Sequence, residues 1–226
     1  MSVNTAFSFT PGVPEQIADH LQTRIVTGDM AAGERIAEAR VTEALGVSRG
    51  PVREALRVLA ARHLVEVMPR RGARVSRFGP TDVRGLYDMQ IALLTLLATR
   101  VADVLDASML EILQTHRDAL RRAADVADTL SLLDHSQTFL RVASDLIGNA
   151  YLRDTLDRMG PAFNRAHYRA LSSAPDQATG LADFIDDLIA AVVGQNHDYI
   201  CATIRRYGER QMADVLSTFP DDQSSP

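Results

Sequence analysis

The stretch from residue 38 to residue 77 places the strongest constraint on the fold. Two segments with the apolar spacing of helices, residues 38 to 45 and 49 to 63, are separated only by a short break at Gly46 and Val47. Two strand-type runs, LVEVM and ARVSR, then flank the turn PRRG, whose proline and glycine favour a reversal of the chain. Two short helices joined by a tight turn and followed by a β-hairpin predict a winged helix-turn-helix.

A further helix is predicted before this motif, over residues 14 to 27. Apolar residues recur there at helical spacing, and Gly28 ends the pattern. In the segment 49 to 63, the i, i+3, i+4, i+7 rule predicts a buried stripe made of Val52, Ala55, Leu56, Leu59 and His63. Ser48 is the predicted N-cap of that helix, and we expect it to bond the N–H of Gly50 because Pro51 has none.

A row of arginines lies beside this predicted stripe. Arg49, Arg53 and Arg57 recur every four residues, so the helix can pack inward and still present cations outward, as a helix in the major groove of DNA requires. The alternative is an ordinary solvated face. All 24 basic residues of the chain are arginine. Residues 1 to 79 carry 11 of them against 8 acidic residues, whereas the chain as a whole has a net charge of −5. The N-terminal part therefore suits a polyanionic partner.

Beyond Gly79 the pattern is helical throughout. We expect Thr81 or Asp82 to cap the first helix there, and breaks in the spacing follow near residues 105, 126 to 128, 149, 172 to 180 and 195 to 197. These breaks predict six helices in an all-α bundle. The predicted fold class is therefore mainly α: three helices and a β-hairpin wing, followed by a bundle of six or seven helices.

The predicted organisation has four parts. Residues 1 to 13 are a flexible leader, 14 to 78 a DNA-binding domain, 79 to 219 an effector-sensing and dimerisation domain, and 220 to 226 a disordered tail. No apolar run approaches the roughly eighteen residues that a membrane span needs, and the N-terminus lacks the features of a secretory signal. A single cysteine, Cys201, cannot form an intramolecular disulfide. We therefore expect a cytoplasmic protein with no membrane contact.

The run GERIAEARVTEALGVSRGPVREALRVLAARHLVEVMPRRGARV resembles the DNA-binding domain of the GntR family of bacterial transcription regulators. The resemblance covers residues 14 to 77, and its core, GVSRGPVREAL, is highly specific. The helical remainder looks like the FadR-type branch of that family, with an FCD ligand-sensing domain and a dimeric assembly. Fragments such as DVRGLYDMQIALLTLLATRVA and LIGNAYLRDTL carry this second resemblance.

The resemblance implies a set of DNA contacts. Hydroxyls, backbone N–H groups and wing arginines hold phosphates, and arginines in the first turns of the helix fork onto guanine. The residues carried over are Arg40, Ser48, Arg49, Gly50, Arg53, Arg70, Arg71 and Gly72. Two of the family's positions differ here, since Gly50 replaces the usual threonine and Ala39 an arginine that is common in FadR-like proteins. Arg57, Arg62 and Arg74 are expected to add a supporting positive field.

The resemblance also implies a lost metal site. Many FCD domains bind a divalent metal through the pattern D..FH and two later histidines, but Ser136 and Leu140 stand at the Asp and His positions around Phe139. The later histidines are expected near residues 186 or 187 and 208 or 209, where the chain has Asp186, Asp187, Gly208 and Glu209. Leucine donates nothing to a metal, so we expect no metal cofactor. Whether His116, His135, His167 and His197 build a different metal site is left open.

A pocket without its metal suits a different ligand, either a small organic acid or a more apolar metabolite. Its predicted lining is Gln90, Leu94, Ser136, Phe139, Leu140, Asn149, Asp186, Asp187 and Glu209. Arg100, Arg165 and Arg169 are candidates to neutralise an acidic ligand, with an ordinary surface role as the alternative.

The sequence therefore predicts a homodimeric repressor that binds a palindromic operator in double-stranded DNA, at the nucleoid, under control of a small molecule. Activation in place of repression, and release or promotion of DNA binding by the effector, are left open. The alternatives are a winged helix that binds protein, or a regulator whose sensor pocket no longer functions. An enzyme is disfavoured, because no nucleophile elbow, P-loop, dinucleotide fingerprint or HExxH motif occurs.

Overall fold

The fold is taken from a computed structural model, which describes residues 12–68, 72–174 and 178–220. The chain divides into two compact units, Met1–Arg77 and Phe78–Pro226, and each is described by itself. Nine helices and three strands occur in the described residues, so the predicted fold class is confirmed. None of these helices is long and apolar enough to span a bilayer. The predicted leader and tail lie almost wholly outside the described residues.

The first unit is a winged helix-turn-helix. Its elements in chain order are α1 (Val13–Val26), β1 (Arg35–Ile36), α2 (Glu38–Leu45), α3 (Arg49–Ala61), β2 (Val65–Met68) and β3 (Gly72–Val75). The strands form an antiparallel sheet in the order β1-β3-β2. Helix α3 packs its apolar side against α1, and the side chains of the sheet close the same core. This core holds α3 at the surface with one face free.

The end of α3 differs from its prediction. Val52, Ala55, Leu56 and Leu59 are buried as expected, but the helix ends at Ala61 and His63 is exposed. His63 adopts a left-handed conformation with φ of 58°, and this turn carries Leu64 into the core. The prediction of His63 as a buried residue is wrong, because the helical spacing does not continue through the turn.

The start of α3 also differs in detail. Ser48 occupies the N-cap position, but its side chain makes no capping hydrogen bond, neither to Gly50 nor to another residue. Pro51 has no N–H to offer at the third helical position, where a capping hydroxyl usually finds its donor. The Ser48 hydroxyl is exposed and therefore free for a ligand.

Strand β1 was not predicted, and its position explains why residue 72 is a glycine. Gly72 begins β3 with φ of 86°, a conformation that favours glycine, and it directly precedes Ala73, which pairs with Ile36 of β1. A Cβ at this position would collide with the carbonyl oxygen of Ile36. Gly72 is therefore required by the close approach of two backbones at the end of the hairpin next to its turn.

The second unit is all helical, and its six helices agree with the predicted breaks. They are α4 (Pro80–Val104), α5 (Ala107–Asp125), α6 (Thr129–Leu146), α7 (Ala150–Ser173), α8 (Ala178–Val193) and α9 (His197–Leu216). The N-cap of α4 is Gly79, not Thr81 or Asp82. Asp82 lies one turn inside the helix, where its carboxylate accepts the N–H of Gly79 at 2.9 Å. The proline at the first helical position, Pro80, sets this start.

Helix α4 packs most extensively against α9. Gly208 of α9 is buried against Ile91 of α4, which occupies the space that a side chain at 208 would need. The main core of the unit lies between α4 and the helices from α5 to α9. The interior is thus built around one face of α4.

Candidate functional site

The exposed face of α3 carries the predicted arginine row. Arg49, Arg53 and Arg57 are all exposed, on a face that adjoins the buried stripe. Arg49 lies in the first turn and makes no hydrogen bond or ion pair with any residue that the structure describes. The positive end of the helix dipole lies at the same place and adds to the field of its guanidinium. The first turn of α3 is therefore open to an anionic partner.

The other two arginines of the row are already paired. Arg53 donates from Nε to the Glu38 carboxylate of α2 at 2.9 Å, and Arg57 donates from Nη1 to Glu54 of its own helix at 2.5 Å. Both guanidinium groups are exposed, at 60% for Arg53 and 70% for Arg57, so the net contributions of the two pairs to stability are small. The Glu38 carboxylate nevertheless orients Arg53 beside Arg49. A phosphate or a base edge would have to compete with it.

Two further arginines of this unit differ in kind. Arg62 is only 23% exposed and donates from Nη1 to Asp19 at 2.6 Å and to Gln22 at 2.9 Å, both on α1. It ties the end of α3 to α1, so its prediction as part of a supporting field misses its main contacts. Arg40 is exposed on α2 and lines a groove of about 220 Å³ that Arg24 and Arg35 also line. Sequence spacing gave no sign of this groove, because its residues come from three separate elements.

The structure gives less information about the predicted DNA contacts of the wing. The predicted contacts Arg70 and Arg71 lie outside the described residues. Gly72 is buried in β3 rather than displayed at a tip. Its identity follows from the contact with Ile36, while a backbone contact to DNA at this position stays a prediction. Arg74 lies opposite Glu66 in the register of β2 and β3.

The predicted effector pocket is only partly assembled. Leu94, Phe139 and Leu140 come together as expected and line a cavity of about 30 Å³ in the helical unit. Every other residue around it is apolar: Leu97, Ala98, Val101, Leu105, Leu110, Leu113, Ala143, Leu188, Ile189, Val192 and Val193. Typical ligand pockets are about 300 to 1,000 Å³. The cavity as it stands has room for no more than a very small apolar group.

The polar residues predicted for this pocket do not line the cavity. Ser136 donates its hydroxyl to the Leu133 carbonyl, and the Asn149 side chain accepts the N–H of Leu152 as the N-cap of α7. Asp186 pairs with Arg117 at 3.0 Å and with Arg121. Asp187 and Glu209 are exposed. Gln90 is buried, and its Oε1 has no hydrogen-bond partner among the described residues.

Phe184 of α8 and Tyr207 of α9 lie near the positions at which the family resemblance implies the later histidines. The rings of Phe184 and Tyr207 stack with centroids 3.8 Å apart, and burial raises the pKa of the Tyr207 hydroxyl. They border a cleft of about 460 Å³ that Asp183, Asp187, Thr203, Arg206 and Arg210 also line. In the described part of the chain, no three His, Cys, Asp or Glu residues are grouped to hold a metal ion.

A buried polar pair lies elsewhere in the core, between α4 and α7. The Tyr87 and His167 rings meet edge to face with centroids 5.8 Å apart. Burial lowers the pKa of His167 to about 4 and raises that of Tyr87. Neither Nε2 of His167 nor the Tyr87 hydroxyl has a hydrogen-bond partner in the described residues. Sequence spacing did not single out this pair.

The arginines proposed to neutralise an acidic ligand have other contacts. Arg169 donates to both Oγ1 and the carbonyl of Thr218 at 2.6 Å, and its guanidinium lies 4.4 Å from the centre of the Phe219 ring. Arg165 lies 5.7 Å from the centre of the Phe78 ring. Arg100 pairs with Asp103 at 3.5 Å. Arg165 therefore packs against the first residue of the helical unit, and Arg169 packs against residues near its C-terminal end.

Comparison with known families agrees with this architecture. Residues 14–75 match the model for "Bacterial regulatory proteins, gntR family", and residues 85–210 match the FCD domain. The two matches fall on the winged helix-turn-helix and on the helical unit. The chain is therefore a DNA-binding transcription regulator, from a class of proteins that are not enzymes. It belongs to the gntR family and carries an FCD effector-binding domain.

Similar proteins carry matching descriptions. The chain is 28% identical over 145 residues to the uncharacterized HTH-type transcriptional regulator YdhC of Bacillus subtilis, a match that covers 64% of this chain and 65% of YdhC. It is 26% identical over 168 residues to the HTH-type transcriptional repressor RspR of Escherichia coli, with 74% of each chain covered. The HTH-type transcriptional regulator Mce2R of Mycobacterium tuberculosis is 29% identical over 191 residues, covering 75% of this chain and 76% of Mce2R.

Solved structures share the fold. E. coli McbR/YncC superposes with a TM-score of 0.78 at 17% identity, covering 93% of this chain and 100% of that one. A putative GntR transcriptional regulator from Rhodococcus sp. RHA1 has a TM-score of 0.71 at 22% identity, covering 92% and 99%. At such identities the likeness concerns the fold alone.

Proposed function

We propose that the protein is a homodimeric repressor in the cytoplasm that binds a palindromic operator through α3 and is controlled by a small molecule in the helical unit. The observation that carries the proposal is the exposed row of Arg49, Arg53 and Arg57 on a helix whose adjoining face is buried. Such a helix can enter the major groove without losing its packing. A two-fold dimer would present two such helices to two half-sites.

The three arginines are assigned different tasks. Arg49, unpaired in the first turn, forks onto a base edge or a phosphate as soon as the helix docks. Arg53 exchanges the Glu38 carboxylate for DNA, and the carboxylate discourages binding to a random polyanion by keeping part of the charge neutralised. Arg57, further along the helix, adds a phosphate contact. The exposed hydroxyl of Ser48 and the N–H groups of the first turn serve phosphate oxygens.

For the effector, we propose a compound with an apolar group that enters the cavity around Leu94, Phe139 and Leu140. The cavity of about 30 Å³ must widen to admit more than a methyl-sized group, so binding moves the surrounding helices. A small organic acid fits the cleft at Arg206 and Arg210 instead. The small cavity also favours a second candidate, a regulator that no longer responds to a ligand. We propose no metal cofactor, and metal analysis of the purified protein tests this point.

The DNA-binding proposal is tested by fluorescence anisotropy on duplexes that carry candidate operators from the neighbouring genes. We expect Arg49→Ala and Arg53→Ala each to weaken operator binding by about tenfold or more, since one good bidentate contact is worth about 1–3 kcal/mol. Arg158→Ala is the matched control, because Arg158 and Arg53 have the same side-chain exposure, 60%. Parent-like binding by both α3 variants would show that α3 does not read the operator.

The effector proposal is tested by a thermal-shift screen of acyl compounds, sugar acids and small carboxylic acids. A ligand of the cavity should lose its stabilising effect in the Leu140→Asp variant and keep it in the Arg206→Ala variant. A ligand of the cleft should behave in the opposite way. If no compound shifts the melting temperature or the operator affinity, the ligand-independent candidate is favoured.

A further inference from the structure

The cleft of about 460 Å³ between α8 and α9 has two walls of opposite charge. The α8 wall carries Asp183 and Asp187, and the α9 wall carries Arg206 and Arg210. On each helix the lining residues follow the spacing i, i+3, i+4, i+7, which places them on one face. They are Gly180, Asp183, Phe184 and Asp187 on α8, and Thr203, Arg206, Tyr207 and Arg210 on α9. The cleft is as large as an ordinary small-molecule site.

The two arginines of the α9 wall have unused hydrogen-bond donors. Arg206 approaches the Asp187 carboxylate at 3.9 Å, and Arg210 approaches that of Asp214 at 4.0 Å. Both distances are too long for a hydrogen bond, and neither guanidinium donates one to any residue that the structure describes. A carboxylate in the cleft would therefore meet two guanidinium groups that can bind it through paired N–H donors.

The two aspartates of the α8 wall can accept hydrogen bonds from a cation. The Asp187 side chain is 62% exposed, and within the described ranges its carboxylate has only the long approach to Arg206. Asp183 accepts a hydrogen bond from Arg121 of α5 at 2.7 Å through Oδ1, which leaves Oδ2 for a ligand. An ammonium group has three N–H donors and suits two neighbouring carboxylates.

The formal charges of the two walls cancel, since two aspartates and two arginines line the cleft. A ligand with a carboxylate alone would be repelled by the aspartates, and a simple amine would be repelled by the arginines. A ligand that carries both groups on neighbouring atoms matches both walls at once. The charge pattern therefore favours a zwitterion over a simple acid or a simple base.

An aromatic pair lies between the charged residues. The rings of Phe184 and Tyr207 stack with centroids 3.8 Å apart, and both residues line the cleft. Phe184 is also part of the main core, so the stack separates the cleft from the interior of the unit. The stack offers an apolar surface for the side chain of a ligand whose charged groups bind the walls.

A buried hydroxyl at the cleft lacks a partner. Thr203 lines the cleft but is only 1% exposed, so it lies at the bottom. Its Oγ1 has no hydrogen-bond partner among the described residues. Other helical threonines donate to the carbonyl four residues earlier, namely Thr23, Thr42, Thr99, Thr115 and Thr155. A polar group of a ligand can supply the missing partner after a small rotation of the Thr203 side chain.

We propose that this cleft binds a free α-amino acid as a zwitterion, with its carboxylate on the α9 wall and its ammonium group on the α8 wall. The inference rests on the small-molecule control proposed above. It narrows the small organic acid of that proposal to one that carries an amino group. The site is separate from the cavity around Leu94, whose lining is wholly apolar.

The first experiment is calorimetric titration of the full chain with each of the protein-forming L-amino acids. An amino acid that binds is then compared with the acid that lacks its amino group and with the amine that lacks its carboxylate. For phenylalanine these are 3-phenylpropanoate and 2-phenylethylamine. We expect each analogue to bind about tenfold more weakly or worse, because each loses charge-assisted hydrogen bonds. The proposal is overturned if no amino acid binds at millimolar concentration, or if an analogue binds as tightly as its amino acid.

Two variants assign the charged groups of the ligand to the walls. Asp187→Asn should bind the amino acid and its deaminated analogue alike, and Arg210→Gln should bind the amino acid and its decarboxylated analogue alike. Both side chains are more than 60% exposed, so parent-like helicity is expected by circular dichroism. Arg158→Gln on α7 is the matched control, with 60% exposure outside the cleft, and should keep both preferences. Cleft variants that keep both preferences would contradict the proposed site.

Operator binding, measured by anisotropy with and without the amino acid, separates this inference from the proposed function. Calorimetric binding that depends on Asp187 and Arg210 supports the site even when operator affinity does not change, and then speaks against control by that ligand. If no amino acid binds while another compound changes operator affinity, the inference fails and small-molecule control stands.

Discussion

The DNA-binding unit and the helical unit keep their functional chemistry in different places. In the first, the candidate residues are exposed side chains on one helix, Arg49, Arg53 and Arg57, and a separate core supports them. In the second, the candidate pocket is part of the core itself, so the residues that hold the unit together also line the cavity. A surface site can change its specificity at small cost in stability. A site inside a core cannot change its shape without altering the packing.

The largest predicted loss of stability comes from substituting a glycine in the DNA-binding unit. Gly72→Ala places a Cβ against the Ile36 carbonyl and forces alanine into a left-handed conformation. We expect the first unit to lose about 3 kcal/mol or more of stability, since backbone strain and a clash with backbone add together. Urea unfolding of the full chain, with hydrogen exchange of the α3 amides, measures the loss.

The matched control is Gly50→Ala in the first turn of α3. No atom lies within 4 Å of the Cβ that it would add, and its backbone is helical. This variant should be unchanged or more stable by about 0.5 kcal/mol, because alanine loses less entropy than glycine in a helix. Equal behaviour of the two variants would mean that β1 does not hold the wing.

The next largest loss of stability is expected in the helical unit when the pH is lowered. Burial lowers the pKa of His167 to about 4, below its ordinary value of 6.5. As pH falls through 6.5 the unfolded chain takes up a proton that the folded chain refuses, so stability is lost progressively until the folded state is also protonated near pH 4. Between pH 7 and pH 5 we expect a loss of about 2 kcal/mol from this residue.

Denaturant unfolding at the two pH values measures this loss. The His167→Phe variant, which fills the same space without a titrating group, should be less sensitive to pH by that amount. An unchanged slope in His167→Phe would mean that His167 is hydrated or paired in solution.

The smallest effects separate two arginines that look alike in sequence, Arg57 of α3 and Arg62 directly after that helix. Arg62→Ala removes the bonds to Asp19 and Gln22 and should cost about 1 kcal/mol of stability, with parent-like salt dependence of DNA binding. Arg57→Ala removes only an exposed pair with Glu54, so stability should change by about 0.3 kcal/mol or less. Its salt slope for DNA binding should instead fall by about 1, as expected for one lost phosphate contact. If the two variants had the same stability and the same salt dependence of DNA binding, Arg57 and Arg62 would not have separate roles.

The same contrast explains which features of the structure could be predicted from the sequence. Helical spacing and break residues predicted the helices of both units, because these signals are local. The arginine row was also local, since residues four apart on one helix share a face. The exceptions are informative: β1 has only two residues and exists through its pairing with β3, and His63 left the buried stripe because the helix ended at Ala61.

The cavity proposed as the effector pocket could be predicted only in part. Leu94, Phe139 and Leu140 are apolar and turn inward, as helical periodicity requires. Asp187 and Glu209 were placed by a register inferred from the family, and a shift of a few residues on a helix moves a side chain from the interior to solvent. At the neighbouring positions the interior holds Phe184 and Tyr207. The pairing of Tyr87 with His167 depends on how α4 and α7 cross, which no local pattern encodes.

Strand β1 has a mechanical consequence for the reading of DNA. It ends at Ile36, directly before Ala37, the N-cap of α2, and its Cα partners are Arg74 and Ala73 in β3 of the wing. A force on the wing is therefore transmitted through paired backbone to the helix-turn-helix. A displacement of the wing would therefore tilt α2 and α3 as well, because the paired backbone joins them.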